Sequence, residues 1–174
     1  YSKDDLVMVN QLLDHLEPLK RDGLISTWYC TELIAGGEWD KDIQQNFDES
    51  DIICFMISPN LMRTDYVFNY EIKNAIDRGK KDEDFKIVPI ILSYCSWITK
   101  DYNLGNYTAL PYTAKPVSDF NDKDMAWYIV TECIKILIKS TKQPNGDNWY
   151  GGKLPKDVRK IYERIVQNKV DNNS

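Results

Sequence analysis

"DIICFMISPNLMRTDYVFNYEIKNAIDRG", residues 51–79, decides the fold. Residues 51–58 are apolar at nearly every position. A half-exposed strand alternates apolar and polar side chains, and this run does not. It is short and stops at Ser58-Pro59-Asn60, a turn sequence. It therefore reads as a strand buried on both faces, as in a parallel sheet covered by helices. A helix follows. At about 100° per residue, Phe68, Ile72, Ala75 and Ile76 share one apolar face. Glu71 lies about 40° outside Ala75, on the rim of that face. "KIVPIIL", 86–92, is a second continuous apolar run. Strand, helix and strand in this order form a right-handed crossover unit.

Towards the start of the chain, Asp4 or Asp5 can cap a first helix. Leu6, Val9, Leu13 and Leu16 form its stripe, and Pro18 and Gly23 bring it to an end. "LISTWY", 24–29, reads as a strand from its Ile, Thr, Trp and Tyr content. "CTELIAGGEW", 30–39, is a loop, and a short polar helix runs from about Trp39 to Asp48. Beyond the second apolar run, residues 93–114 are irregular and rich in Tyr, Asn, Thr and Gly. "AKPVSDF", 114–120, is a weak edge strand, which suits Pro116. In the last strong helix, 121–139, Ala126, Ile129, Val130, Cys133, Ile136 and Leu137 make the inner face. Residues 140–153 are a linker by composition. Residues 154–174 hold a short amphipathic helix, with Val158, Ile161, Tyr162 and Ile165 on one side. That helix packs on the domain or leads into a second one.

The expected architecture is α/β: a flavodoxin-like, doubly wound parallel sheet of about five strands in the order 2-1-3-4-5. The first strand would precede Tyr1, so most of it is missing from the chain as given. Ligands in such folds bind outside the carboxyl ends of the strands. That edge would hold Tyr1–Asp4, the 30–39 loop, the 58–66 turn and the loop after Leu92.

Composition narrows the function. The chain has 174 residues, 43% of them hydrophobic and 12% aromatic, enough to bury a core. A net charge of −5 and the absence of a basic stripe argue against direct nucleic-acid binding. The four cysteines form no Cys-x-x-Cys pair, and His15 is the one histidine, so zinc ligation and a Ser-His-Asp arrangement lack material. Unpaired cysteines suit a reducing, cytoplasmic setting. No apolar run is long enough to span a membrane.

The motifs in order resemble a TIR (Toll/interleukin-1 receptor) domain of the bacterial kind, from Tyr1 to about Lys139. "YSKDD" is similar to the end of the family's first-strand motif, Phe-Ile-Ser-Tyr-Ser. "LEPLKRDGLISTW" resembles its first helix and second strand. "CTELIAGGEW" stands where the family has its BB loop, commonly Asp-Arg-x-Ile-x-Pro-Gly-x-x-Trp. "DIICFMISPNLMRTDYVFNYEI", "VPIIL", Leu110-Pro111 and "KPV" at 115–117 match later landmarks. The chain departs from the pattern at Cys30 and Thr31, where an acidic and a basic residue are common. Ala35 replaces the usual proline, and Val67 stands where many members carry Trp or Cys.

The resemblance implies one of two functions. Some members are adaptors that signal by self-association; others are NAD+ glycohydrolases, which cut the bond between ribose and nicotinamide. The family's catalytic glutamate matches Glu71. A single carboxylate suits this chemistry. Ordinary glycosidases need an acid for the leaving oxygen and a second carboxylate. Nicotinamide leaves NAD+ already neutral, so the demand is for an anion that stabilises an oxocarbenium-like ribose. By resemblance, Tyr1 and Ser2 face the cleft, Trp28, Leu33 and Ile34 wall a ring pocket, Gly36 allows close backbone approach, and Tyr66 stacks on a ring. Each has a plainer role as well: Trp28 as core, Gly36 as a loop bend, Tyr66 as an exposed aromatic, Glu71 as a rim acid.

The first expectation is thus an NAD+ nucleosidase, releasing nicotinamide and leaving ADP-ribose or its cyclic form. It would be a bacterial immune, anti-phage effector. NAD+ is then substrate, and no cofactor or metal is expected. Other TIR domains are the expected partners, through the 30–39 loop, with a regulatory domain or partner controlling assembly. No nucleic-acid or membrane partner is expected. The second expectation is a non-catalytic TIR–TIR interaction module. A receiver domain fits less well, because its phosphoacceptor aspartate would end the strand that here ends Ile57-Ser58-Pro59.

Overall fold

The computed structural model describes residues 1–27, 29, 39–64, 67–99, 104–111 and 115–141, without the side chains of 39–42, 67–69 and 139–141. The two apolar runs become strands β1 (Ile52–Ile57) and β2 (Lys86–Ile91). They pair in parallel, with Ile52 opposite Lys86 and Ile57 opposite Ile91. Their side chains alternate between two cores. Met56, Val88, Ile90 and Leu92 enter one, with helix α1 (Leu6–Arg21) and helix α5 (Lys123–Thr141). Phe55, Ile57, Ile87 and Ile91 enter the other, with Leu61, Ile72, Ala75, Phe85 and Leu104. A sheet covered on both faces has no wet side for polar residues, which is why neither run alternates.

Between the strands lie α3 (Pro59–Met62), a π-helical turn (Val67–Ile72) and α4 (Lys73–Gly79). Ile72 and Ala75 are fully buried and Ile76 is partly so. The apolar face read at α-helical spacing therefore holds from Ile72 onward. Through Val67–Ile72 the backbone closes i→i+5 bonds, so the 100° spacing that sets Phe68 on that face and Glu71 about 40° outside Ala75 does not apply there. Helix α2 (Trp39–Glu49) precedes β1 as expected.

On the far side of β2 the sheet continues for one residue. Leu110 bridges Ile90 in parallel: its N–H donates to the Pro89 carbonyl (2.8 Å), and its carbonyl accepts from the Ile91 N–H (2.7 Å). The next ladder bond towards the strand's start would need an N–H at Pro89, which proline lacks. Pro89 thus holds this neighbour to a single rung. The expected edge strand at 114–120 is instead a 3-10 turn, Val117–Asp119, entered from Pro116 and tied to the sheet by Ser118 N–H on the Leu92 carbonyl (2.9 Å). The expected strand at 24–29 is not formed at Leu24–Thr27. In the order 2-1-3-4-5 its ladder neighbour is the strand expected before Tyr1. Among the described residues the parallel sheet has two strands and one bridge, short of the five expected.

Helix α1 departs from the expected stripe by a small rotation. Val9, Leu12, Leu16 and Leu19 are buried, while Leu6 is exposed and Leu13 only partly covered. Pro18 does not stop it; the helix runs on to Arg21. It ends at Gly23, whose φ of 66° lets Gly23 and Leu24 N–H reach back to Lys20 and Leu19 carbonyls (3.0 Å each). Across the helix pair, Trp127 of α5 is fully buried and its indole N–H donates to Gln11 Oε1 at 3.1 Å.

The start of the chain is tied to the end of β1. Asp5, at the head of α1, is buried, and its carboxylate caps no helix. It accepts from the Ser58 hydroxyl on Oδ2 and from Asn60 Nδ2 on Oδ1 (2.7 Å). Ser58 is buried too, and its oxygen accepts from Leu61 N–H at 3.0 Å as the N-cap of α3. Removing the Asp5 carboxylate would leave two donors without an acceptor in a dry place. Asp5→Ala is therefore expected to lower stability by about 3 kcal/mol, with Asp5→Asn between it and wild type, read as a shift of the urea midpoint at unchanged slope. Gly23→Ala is expected to cost about 1 kcal/mol in the same measurement. A Cβ there meets nothing within 4 Å, so the cost is purely conformational.

Candidate functional site

Parallel strands direct their carboxyl ends to one edge, and the chain gathers three segments there. Ser58 and Asn60 follow β1 directly. Residues 93–99 follow β2. The segment Tyr1–Asp5 is fixed against the first of these by the Asp5 carboxylate. Glu71 lies on the π turn of the crossover that leaves this edge.

Glu71 sits at the junction of the π turn and α4, between exposed Tyr70 and fully buried Ile72. It is itself partly buried. Burial pushes its carboxyl above the usual glutamate range. An α-helix carrying a partly buried acid through Val67–Ile72 would close i→i+4; the wider π turn is a departure that recurs at functional sites in other proteins.

The other expected residues distribute unevenly. Tyr1 packs its ring, partly buried, against the α1–α5 core. Ser2 turns its hydroxyl to the Asp4 N–H (3.4 Å) as the cap of the 3-10 turn Lys3–Asp5. Trp28, Leu33, Ile34, Gly36 and Tyr66 lie outside the described residues, and so does the loop through which self-association is expected. So does the side chain of Val67.

The network that anchors this edge is absent from the sequence-based list of site residues. Asp5, Ser58 and Asn60 meet across more than fifty residues of chain, and no local spacing signals that. The available signal was Ser58-Pro59-Asn60 itself: a serine and an asparagine immediately after a central strand, on the ligand-binding side. From Asn60 the network continues outward. Asn60 Oδ1 accepts from Arg63 Nη2 at 2.7 Å, and the same nitrogen is 3.5 Å from Asp4 Oδ2.

Nothing here resembles a nucleophilic-thiol or metal centre among the described residues. Cys95 follows β2, and burial, then the charge of Asp5, pushes its thiol up, away from the thiolate. Cys54 and Cys133 are pushed up to about 12 by burial. No three His, Cys, Asp or Glu residues among those described come together in a way that could hold a metal ion. No described helix is long and apolar enough to cross a membrane. What the edge offers is one partly buried acid with elevated proton affinity, and an exposed guanidinium held by a side-chain relay.

Comparison with known proteins bears on this edge. The chain is 30% identical over 135 residues to the uncharacterized protein y4lF of Sinorhizobium fredii (strain NBRC 101917 / NGR234). That match covers 78% of this chain and 41% of the relative, so the chain spans about two-fifths of the relative's length. No solved structure matches it. The TIR domain family matches over residues 1–126, which takes in the Asp5 tie, both strands, the π turn with Glu71 and the Ser118 contact. With α1 and α5 on one face of the parallel pair and α4 on the other, the chain is an α/β protein and belongs to the TIR domain family.

Proposed function

We propose that the chain is an NAD+ glycohydrolase in which Glu71 is the catalytic carboxylate. The observation that carries this reading is Glu71 itself: a partly buried acid on a π turn, in the crossover that follows β1, whose carboxyl burial pushes above the usual glutamate range. Nicotinamide is cationic in NAD+ and leaves neutral, so no acid need protonate it. As the glycosidic bond lengthens, positive charge develops on the ribose. A carboxylate fixed in a partly dry environment stabilises that charge more strongly than it does in water, and needs no reorganisation when the bond breaks. Water or a second position of the substrate then captures the ribose carbon, giving ADP-ribose or its cyclic form.

Burial of Glu71 gives the reaction a further property. A carboxyl that holds its proton more tightly is easier to leave neutral, and catalysis requires the anion. In this reading the chain acts in the cytoplasm as a bacterial immune effector. Association of TIR domains through the 30–39 loop, under a regulatory domain or partner, completes the site. The non-catalytic alternative, a TIR–TIR interaction module, assigns Glu71 to the rim of a helix and nothing more.

NAD+ turnover by the concentrated or artificially clustered chain separates the two. Wild type is expected to release nicotinamide, and Glu71→Ala and Glu71→Gln to lose at least a hundredfold in kcat, the scale of one preorganised electrostatic group. Turnover unchanged in both variants removes Glu71 from the mechanism; no turnover in any clustered state favours the interaction module.

The raised proton affinity of Glu71 makes a second expectation, with opposite signs for activity and stability. Activity should fall as pH drops through the elevated Glu71 value, placing the acid limb of kcat/KM above the ordinary glutamate value of about 4.3. Folding favours the protonated form, so the ionised carboxylate destabilises the fold at neutral pH. That burden lifts as pH falls through the elevated value. Glu71→Gln should therefore melt higher than wild type near pH 7, and the difference should disappear towards pH 4, in thermal unfolding followed across that range.

A further inference from the structure

We draw no further inference here: the strongest candidate, the outward side of the segment that follows β2, where Tyr94 and Ile98 are 68% and 65% exposed while Cys95 and Trp97 turn inward to the core, is an apolar surface patch, and nothing in the structure shows what covers it.

Discussion

The carboxylate of Asp5 is the constraint on which the carboxyl edge depends. It is a buried charge, and a charge is kept out of water only where polar hydrogens surround it. Two such hydrogens come from the turn that follows β1, at Ser58 and Asn60. Ser58 in turn accepts from Leu61 N–H, so the bond that fixes the chain's first helix also fixes the start of α3. From that point the path to Glu71 is short: α3, a brief connection, then the π turn. Loss of the carboxylate would free both the segment Tyr1–Asp5 and the turn after β1.

The layers explain how such a polar tie is tolerated. β1 and β2 are joined by their ladder and covered on both faces, and the edges of the sheet are left for specific chemistry. At the lateral edge, Pro89 withholds an N–H and the sheet narrows to the single rung of Leu110. At the carboxyl edge the free backbone is met by Ser118 on Leu92 and by side-chain oxygens on α3. The apolar content of the strands secures the layers; single polar atoms decide where each connection leaves them.

How much of this was legible in the sequence follows from the range of each interaction. Continuous apolar runs at 51–58 and 86–92 announce buried parallel strands, because burial on both faces is a local demand on every residue. The inner face of α5 was legible for the same reason, and Trp127 joins it because its indole N–H finds Gln11. The stripe of α1 was read slightly rotated, since Leu6 lies at the helix start, where the turn Lys3–Asp5 and not the core sets direction. Strand character at 24–29 and 114–120 was read from propensity, and a strand also needs a ladder partner, which propensity does not supply. Glu71 was found by resemblance to a family motif; its π winding was not, because α and π turns differ by one residue per turn and share composition. Asp5 was read as a helix cap, the usual local use of that residue, whereas its partners lie more than fifty residues away.

The two acids at this edge are buried to different ends, and the contrast argues for what Glu71 is. Asp5 is buried with a hydrogen-bond donor on each oxygen, and both bonds serve the fold. Glu71 is partly buried, and the largest effect on its carboxyl is the loss of water. A fold selected only for stability would give such a group a partner, expose it, or replace it with glutamine. On the glycohydrolase reading, an acid short of compensation among the described residues is one whose compensation arrives with the ligand. A ribose acquiring positive charge would supply it, and the strain on the anion in the free protein is then what the transition state relieves.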